Sequence, residues 1–313
     1  MNRAWFPLAF VLIAGVVGGL LTPLLALLHQ DTGEFGHFKN ARTVHVTPDG
    51  RLIVADLGSG RNDGRVVVVT LEGKQEVLMD HLPSTLHSGQ AHSDLSGPSG
   101  AAMNENGVAC TVIGDGPSGD YATMRCTDGL RVDLKAFERA NNPDGRELES
   151  NPYDIVSDGN DGWVVSDAAA NDVLHVSANG EVSVLGKFWP WDSGKPDGVP
   201  TGLDSEEFGG RFQLVAFGLF GGGYGVLDIG RSSPLPKEPR GKPVVAVAQQ
   251  RFATSSSELA LCWLEWENAE DGGDLICGGE LVRHLDHPTG IAQLNDKDYV
   301  VVEAGQLRRV SLP

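Results

Sequence analysis

Positive charge is scarce in this chain: 24 Lys and Arg stand against 42 Asp and Glu, for a formal net charge of -18. Such a surface repels phosphate backbones and anionic headgroups, which excludes nucleic acid as a partner and leaves only an apolar segment to meet a membrane. Reactive motifs are missing as well. There is no Cys-x-x-Cys pair for zinc and no Gly-x-Ser-x-Gly elbow for a nucleophile, and no Lys follows Gly221-Gly222-Gly223 as a phosphate loop requires.

Charge is wholly absent between Arg3 and Asp31. The apolar run from Ala4 to Leu28 exceeds the ~20 residues that cross a bilayer, so residues 1–30 read as a membrane anchor or signal segment. Leu24-Leu25-Ala26-Leu27-Leu28 offers no Ala-x-Ala cleavage pattern, which favours an uncleaved anchor over a secreted or periplasmic product. Arg3 on the short side places the rest of the chain on the extracytoplasmic side. Only four cysteines are present, Cys110 with Cys126 and Cys262 with Cys277, each pair bracketing a turn-rich loop between strand-like runs. Disulfides across neighbouring antiparallel strands fit that placement and an exported chain; four buried free thiols are the alternative.

What the chain has in quantity is turns, with 41 Gly and 17 Pro. Ser150 to Leu185 shows how they are used: Tyr153–Val156, Trp163–Val165, Val173–Val176 and Val182–Val184 are β-prone runs separated by Gly159-Asn160-Asp161-Gly162, Asn171-Asp172 and Asn179-Gly180. That spacing predicts a four-stranded antiparallel meander. Related units start at Asn40, Gly97, Asn151, Val199, Pro243 and His287. Six repeats of roughly 50 residues predict an all-β, six-bladed propeller over residues 40–313. One short helix is expected at Leu134–Ala140, stopped by Asn142-Pro143. The last unit is a strand short, so residues 31–39 read as a linker in which Phe35–Phe38 supply a ring-closing strand.

The run Asp133-Leu134-Lys135-Ala136-Phe137-Glu138 with Asn141-Asn142-Pro143-Asp144-Gly145, then Ser150-Asn151-Pro152-Tyr153-Asp154, Val165-Ser166-Asp167-Ala168 and Asn171-Asp172-Val173-Leu174, resembles the ScyD/ScyE propeller family. Val199-Pro200-Thr201-Gly202 and His287-Pro288-Thr289-Gly290 fit it as well. The resemblance implies an exported six-bladed propeller shaped like NHL-repeat and gluconolactonase-like proteins, without a settled reaction. Leu214–Gly221 and Trp263-Leu264-Glu265-Trp266 depart from its pattern.

A propeller binds ligands over its central channel, where the innermost strands begin with Pro-x-Gly motifs. The third unit has Asp154 in place of the Gly, which puts Asn151, Asp154, Asp204 and His45 nearest the channel as ligand-binding candidates. Asn151, Asp154, Asp167 and Asn171 offer the oxygen donors calcium takes. The same residue types also cap turns and tie strands. His81, His87 and His92 share one polar loop and could clamp a transition metal, and Trp189, Trp191, Trp263 and Trp266 could stack on a ligand, although solvation and packing are the commoner fates of such residues. Two functions stay open: a binding module for a small molecule, glycan or protein, or a calcium-dependent lactonase in which the metal activates water.

Overall fold

A computed structural model of the chain describes residues 34–87, 95–188, 198–205, 212–218, 226–229, 244–249, 261–266 and 272–312. The apolar run at residues 4–28 lies outside them, as do His92, Trp189, Trp191 and Gly221-Gly222-Gly223. Among the described residues no helix is long and apolar enough to cross a membrane.

The chain is all-β, built of antiparallel sheets met in sequence order. The first is β1 (Ala41–Val46), β2 (Leu52–Asp56), β3 (Gly64–Val69) and β4 (Gln75–Leu82). A two-stranded ribbon, β5 (Thr85–Leu86) with β6 (Leu95–Ser96), leads to β7 (Pro98–Met103), β8 (Ala109–Ile113), β9 (Thr123–Cys126) and β10 (Arg131–Asp133). After the helix α1 (Leu134–Asn141) come β11 (Pro152–Ser157), β12 (Trp163–Asp167), β13 (Asp172–Val176) and β14 (Val182–Lys187). A three-stranded sheet follows, β15 (Gly198–Ser205), β16 (Phe212–Gly218) and β17 (Val226–Ile229). The last two are β18 (Val244–Gln249), β19 (Leu261–Trp266), β20 (Gly273–Cys277) and β21 (Glu280–Leu285), then β22 (Pro288–Gln293), β23 (Asp298–Glu303) and β24 (Gln306–Ser311).

Hydrophobic patterning explains the order of strands within a sheet. β2 and β12 are buried at every residue, because both of their faces meet another sheet. β14 alternates half-buried and exposed residues over most of its length, as an outermost strand with one wet face should. The cores accordingly sit between successive sheets. Ile53 and Val66 pack with Ala101 and Ile113, Met124 with Trp163 and Ile155, and Leu264 with Ile291 and Tyr299. The first sheet also shares a core with the last, through Val44, Leu52, Val300 and Leu307. The first strands touch in one closed succession, β1 to β7, β11, β15, β18, β22 and back to β1.

Each of these first strands carries a register shift at its start, at Ala41/Thr43, Pro98/Gly100, Pro152/Asp154, Pro200/Leu203, Val244/Ala246 and Pro288/Gly290. A bulge turns the intervening side chain out of the ladder. Two of those side chains reach the next sheet: Ser99 Oγ donates to Pro152 O at 2.7 Å, and Thr289 Oγ1 to Arg42 O at 2.7 Å. The second bond joins the last sheet to the first.

α1 forms where the spacing predicts it. The Asp133 side chain accepts from Ala136 N at the amino end, and Asn142, at φ 40, ends the helix in the left-handed conformation.

The ring-closing strand expected at Phe35–Phe38 does not form; the last sheet has three strands. Instead both phenylalanines are fully buried in the core shared by the first and last sheets. Their backbone is held by side chains: Gln306 accepts from Phe38 N at 3.1 Å and donates to Phe38 O at 2.8 Å, and Gln75 Nε2 donates to Phe35 O at 3.0 Å. A wedge of aromatic volume replaces a ladder of hydrogen bonds. Phe38→Ala should therefore lower unfolding stability by about 3–5 kcal/mol, read as a lower urea midpoint with an unchanged slope.

Both cysteine pairs are disulfides, each linking directly opposed residues of neighbouring strands, Cys110 to Cys126 on β8 and β9 and Cys262 to Cys277 on β19 and β20. With the first pair 16 positions apart in sequence, loop-closure entropy gives about 3 kcal/mol of stabilisation, so a Cys110→Ser, Cys126→Ser variant should unfold at clearly lower urea.

Candidate functional site

The bulges bring β1, β7, β11 and β15 close enough for one carboxylate to serve several of them. Asp154 is 2% exposed. Its Oδ1 accepts from Ile155 N at 2.8 Å and from His45 Nε2 at 3.0 Å; its Oδ2 accepts from Leu203 N at 2.9 Å and stands 3.1 Å from His45 Nε2. The carboxylate can only accept here, which assigns the Nε2 proton to His45. β7 runs between the two partners, and the contact exists because residue 100 is glycine: a Cβ there would lie 2.5 Å from Asp154 Cα and 2.7 Å from its Oδ1. The Asp154 amide donates to Ser166 Oγ at 3.1 Å, whose hydroxyl donates to Thr201 O at 2.6 Å. Beside this latch, the Arg42 guanidinium lies 4.7 Å from the centre of the Tyr153 ring. Burial pushes the Tyr153 phenol pKa up, with Arg42 pulling the other way.

His45 and Asp154, placed near the channel from the sequence, are thus brought together. Asp204 follows Leu203 on β15 and is 9% exposed. Asn151 sits apart from the latch: its Oδ1 accepts from Asp115 N at 2.9 Å and its amide donates to Asp167 Oδ1 at 2.7 Å.

Asp167 is a clasp. It accepts from Ser150 Oγ at 2.5 Å and from the amides of Asn151, Ala169 and Ala170 at 2.7, 3.2 and 3.1 Å. Two other sheets repeat the device at the end of their second strand: Asp56 accepts from Asn40 N at 2.7 Å and Glu303 from Asp286 N at 2.9 Å. An acid used the same way in three repeats is holding the start of the sheet to its second strand. The expected calcium set of Asn151, Asp154, Asp167 and Asn171 is therefore split, with Asp154 spent on the latch and Asp167 on the clasp. Among the described residues no three His, Cys, Asp or Glu side chains are grouped to hold a metal.

A second acidic group escaped the sequence reading. Asp172, which opens β13, is fully buried, and Glu138 of α1 is 2% exposed; none of their four carboxyl oxygens has a hydrogen-bond partner. Burial, then the charges of Asp167, Glu138 and Asp144, push the Asp172 pKa up to about 9 against the opposing Lys187. Burial, Asp144 and Asp167 push Glu138 up to about 7. Asn171, at φ 51 and 8% exposed, adds an unpartnered Oδ1 next door. The available signal was the spacing of Leu134 and Glu138, the two buried residues of α1, four apart on one helical face.

A cavity of about 430 Å³ lies elsewhere, between loops of the first and second sheets, lined among others by Asn62, His81, Thr85, Ser118 and Tyr121. No residue of the His45–Asp154 latch lines it. His87 is exposed, and His81 Nε2 is 3.9 Å from Asp80 Oδ2. Trp266 Nε1 donates to Pro288 O at 2.6 Å and Trp263 Nε1 to Glu265 Oε1 at 2.7 Å, so both indoles serve internal contacts.

No family model matches the chain, and no curated protein matches it. Among solved structures it is similar to a streptogramin B lyase, with 11% identity, TM-score 0.46 and coverage of 88% of this chain and 94% of that one. It is also similar to a gluconolactonase from Xanthomonas campestris, with 11% identity, TM-score 0.48 and coverage of 88% and 87%. Regucalcin from Agrobacterium tumefaciens, a calcium-binding protein, gives 13%, 0.45, and 85% and 83%. These are likenesses of shape and transfer no residue role or reaction.

Proposed function

We propose that this chain is an exported six-bladed β-propeller of the ScyD/ScyE type that acts as a binding module for a small molecule, glycan or partner protein, tethered by its apolar segment at residues 4–28. Six blades are supported by the closed succession of first strands and by the Thr289 bond that returns the last sheet to the first. Export is supported by the two disulfides and the uncharged run after Arg3. The tether leaves the propeller on the extracytoplasmic side.

The observation that carries a binding role over hydrolysis is the occupancy of Asp154. Protein donors already meet both of its oxygens, three N–H groups against about four lone-pair positions, which leaves little of the carboxylate to a cation. Its neighbour Asp167 is spent in the same way. The carboxylates that could have activated water at a metal are committed to joining strands.

Full-length protein in mild detergent, assayed with calcium against a panel of aldonolactones, tests this reading. The expected result is hydrolysis no faster than buffer. Calcium-dependent turnover abolished by Asp154→Asn would replace the binding module with a lactonase.

A further inference from the structure

We propose that the cavity between the first and second sheets is a binding site for a neutral polyhydroxylated ligand, a sugar residue. The inference rests on the binding-module reading and names the site and ligand class for it. At about 430 Å³ the cavity falls within the range of roughly 300–1,000 Å³ for small-molecule pockets. Its lining is unusual in that hydroxyl, amide and imidazole groups dominate, with Pro83 and Pro117 as small apolar faces.

The wall carries one charge of each sign, Arg125 and Asp120, with Arg131 Nη2 3.6 Å from the same Asp120 oxygen, and so selects for no strongly charged ligand. The guanidinium on the wall, Arg125, is neutralised by Asp120, with Nη2 2.9 Å from Oδ1 and 3.1 Å from the Asp120 carbonyl oxygen. Arg125 Nε, buried and without a partner among the described residues, adds a charged donor to a set of neutral donors and acceptors, which suits hydroxyl groups that both donate and accept.

The wall is also held rigid at a cost. Asn62 and His81, both lining it, and Ala122 beside Tyr121 adopt left-handed φ values of 56, 52 and 50. Non-glycine residues in that region cost of order 1–3 kcal/mol each and persist where neighbours enforce them, most often at binding sites. The enforcement is visible. Ser84 N donates to Asn62 Oδ1 at 3.3 Å, Asn62 N donates to Ser84 O at 3.0 Å, and Ser84 Oγ donates to Leu57 O at 2.5 Å. Gly116 lets the Tyr121 ring lie flat on its own loop: a Cβ at residue 116 would stand 2.3 Å from the ring. The Tyr121 hydroxyl donates to Asn62 Oδ1 at 3.5 Å, and burial raises its pKa. A preorganised polar cavity without net charge is what a sugar requires, because its many hydroxyls repay desolvation only against fixed partners.

The test is titration of the full-length protein, followed by ligand-observed NMR. One arm uses free glucose, galactose and N-acetylglucosamine; the other uses cello- and chito-oligosaccharides, which separates a free sugar from a glycan end. Glucose 6-phosphate is the charged comparison. Ser118 is exposed at the cavity mouth, so Ser118→Trp should fill it without disturbing the core, and Leu148→Trp, at another exposed position, controls for a surface indole. The expected result is saturable binding of at least one neutral sugar, weakened about tenfold or more by Ser118→Trp and unchanged by Leu148→Trp, with glucose 6-phosphate binding worse than glucose. Sugar binding indifferent to Ser118→Trp would overturn the site while leaving the binding module standing. No saturable sugar in either arm would overturn the ligand class. If Ser118→Trp unfolds, Thr85→Trp fills the same space and is read the same way.

Discussion

Asp154→Ala is expected to destabilise the protein by about 3–5 kcal/mol, the usual cost of removing one partner from a buried charged contact. The loss should exceed that of His45→Ala. Removing the imidazole leaves the carboxylate with its Ile155 and Leu203 amides, whereas removing the carboxylate takes the partner from a half-buried imidazole N–H and from the buried Leu203 amide at once. Because the latch joins β1, β11 and β15 across β7, its loss should act on the ring as a whole. Urea unfolding should show a lower midpoint in a single transition for Asp154→Ala, with Asp154→Asn between it and the wild type. A fall of under ~0.5 kcal/mol, typical of a surface substitution, would mean that the latch carries no strand junction.

The second large effect is on pH. Asp172 keeps its proton in the folded chain up to about pH 9, whereas in the unfolded chain it releases it near the ordinary carboxylate value of 3.8. Between those limits the unfolded state binds fewer protons, so stability falls as pH rises, by roughly 1.4 kcal/mol per pH unit for one such group. Glu138 adds a similar slope only up to about pH 7. Between pH 7 and 9 the slope should thus belong mainly to Asp172, and Asp172→Asn should flatten it there. Glu138→Gln should flatten it mainly below about pH 7, with a smaller effect above, where the Glu138 charge helps to raise Asp172. Melting temperatures of the three proteins across pH 5 to 9 check this; parallel curves would show that neither carboxyl is held neutral by the fold.

These two sites differ in how far the chain announces them. The latch was half legible: Asp154 breaks a Pro-x-Gly motif, and a break in a repeat can be seen in one dimension. Its partner His45 could be placed on the same ring of strands, although the need for Gly100 between them could not. The turns and cross-strand cysteines were legible for a related reason, since hairpin register follows from local spacing. Glu138 and Asp172 were not legible. They lie on a helix and on a strand start 34 positions apart; the spacing of Leu134 and Glu138 is the one local mark of burial, and nothing local marks Asp172.

Other residues show one pattern serving two uses. Asp167 has the composition of a metal ligand and the setting of a turn, and its lone pairs went to backbone amides, as Asp56 and Glu303 repeat. Phe35–Phe38 were expected as a closing strand because the last unit is one strand short. The pair is instead buried as aromatic volume, with Gln306 and Gln75 taking over the hydrogen bonds. The cavity drew no signal, because its walls come from loops that share no motif.

Titrating calcium into metal-stripped, full-length protein by calorimetry addresses the central claim most directly. If Asp154 and Asp167 are committed to joining strands, no stoichiometric uptake is expected at micromolar to low millimolar calcium, and Asp154→Asn should leave the trace unchanged. One-to-one binding that disappears in Asp154→Asn would contradict it and restore the metal-dependent hydrolase.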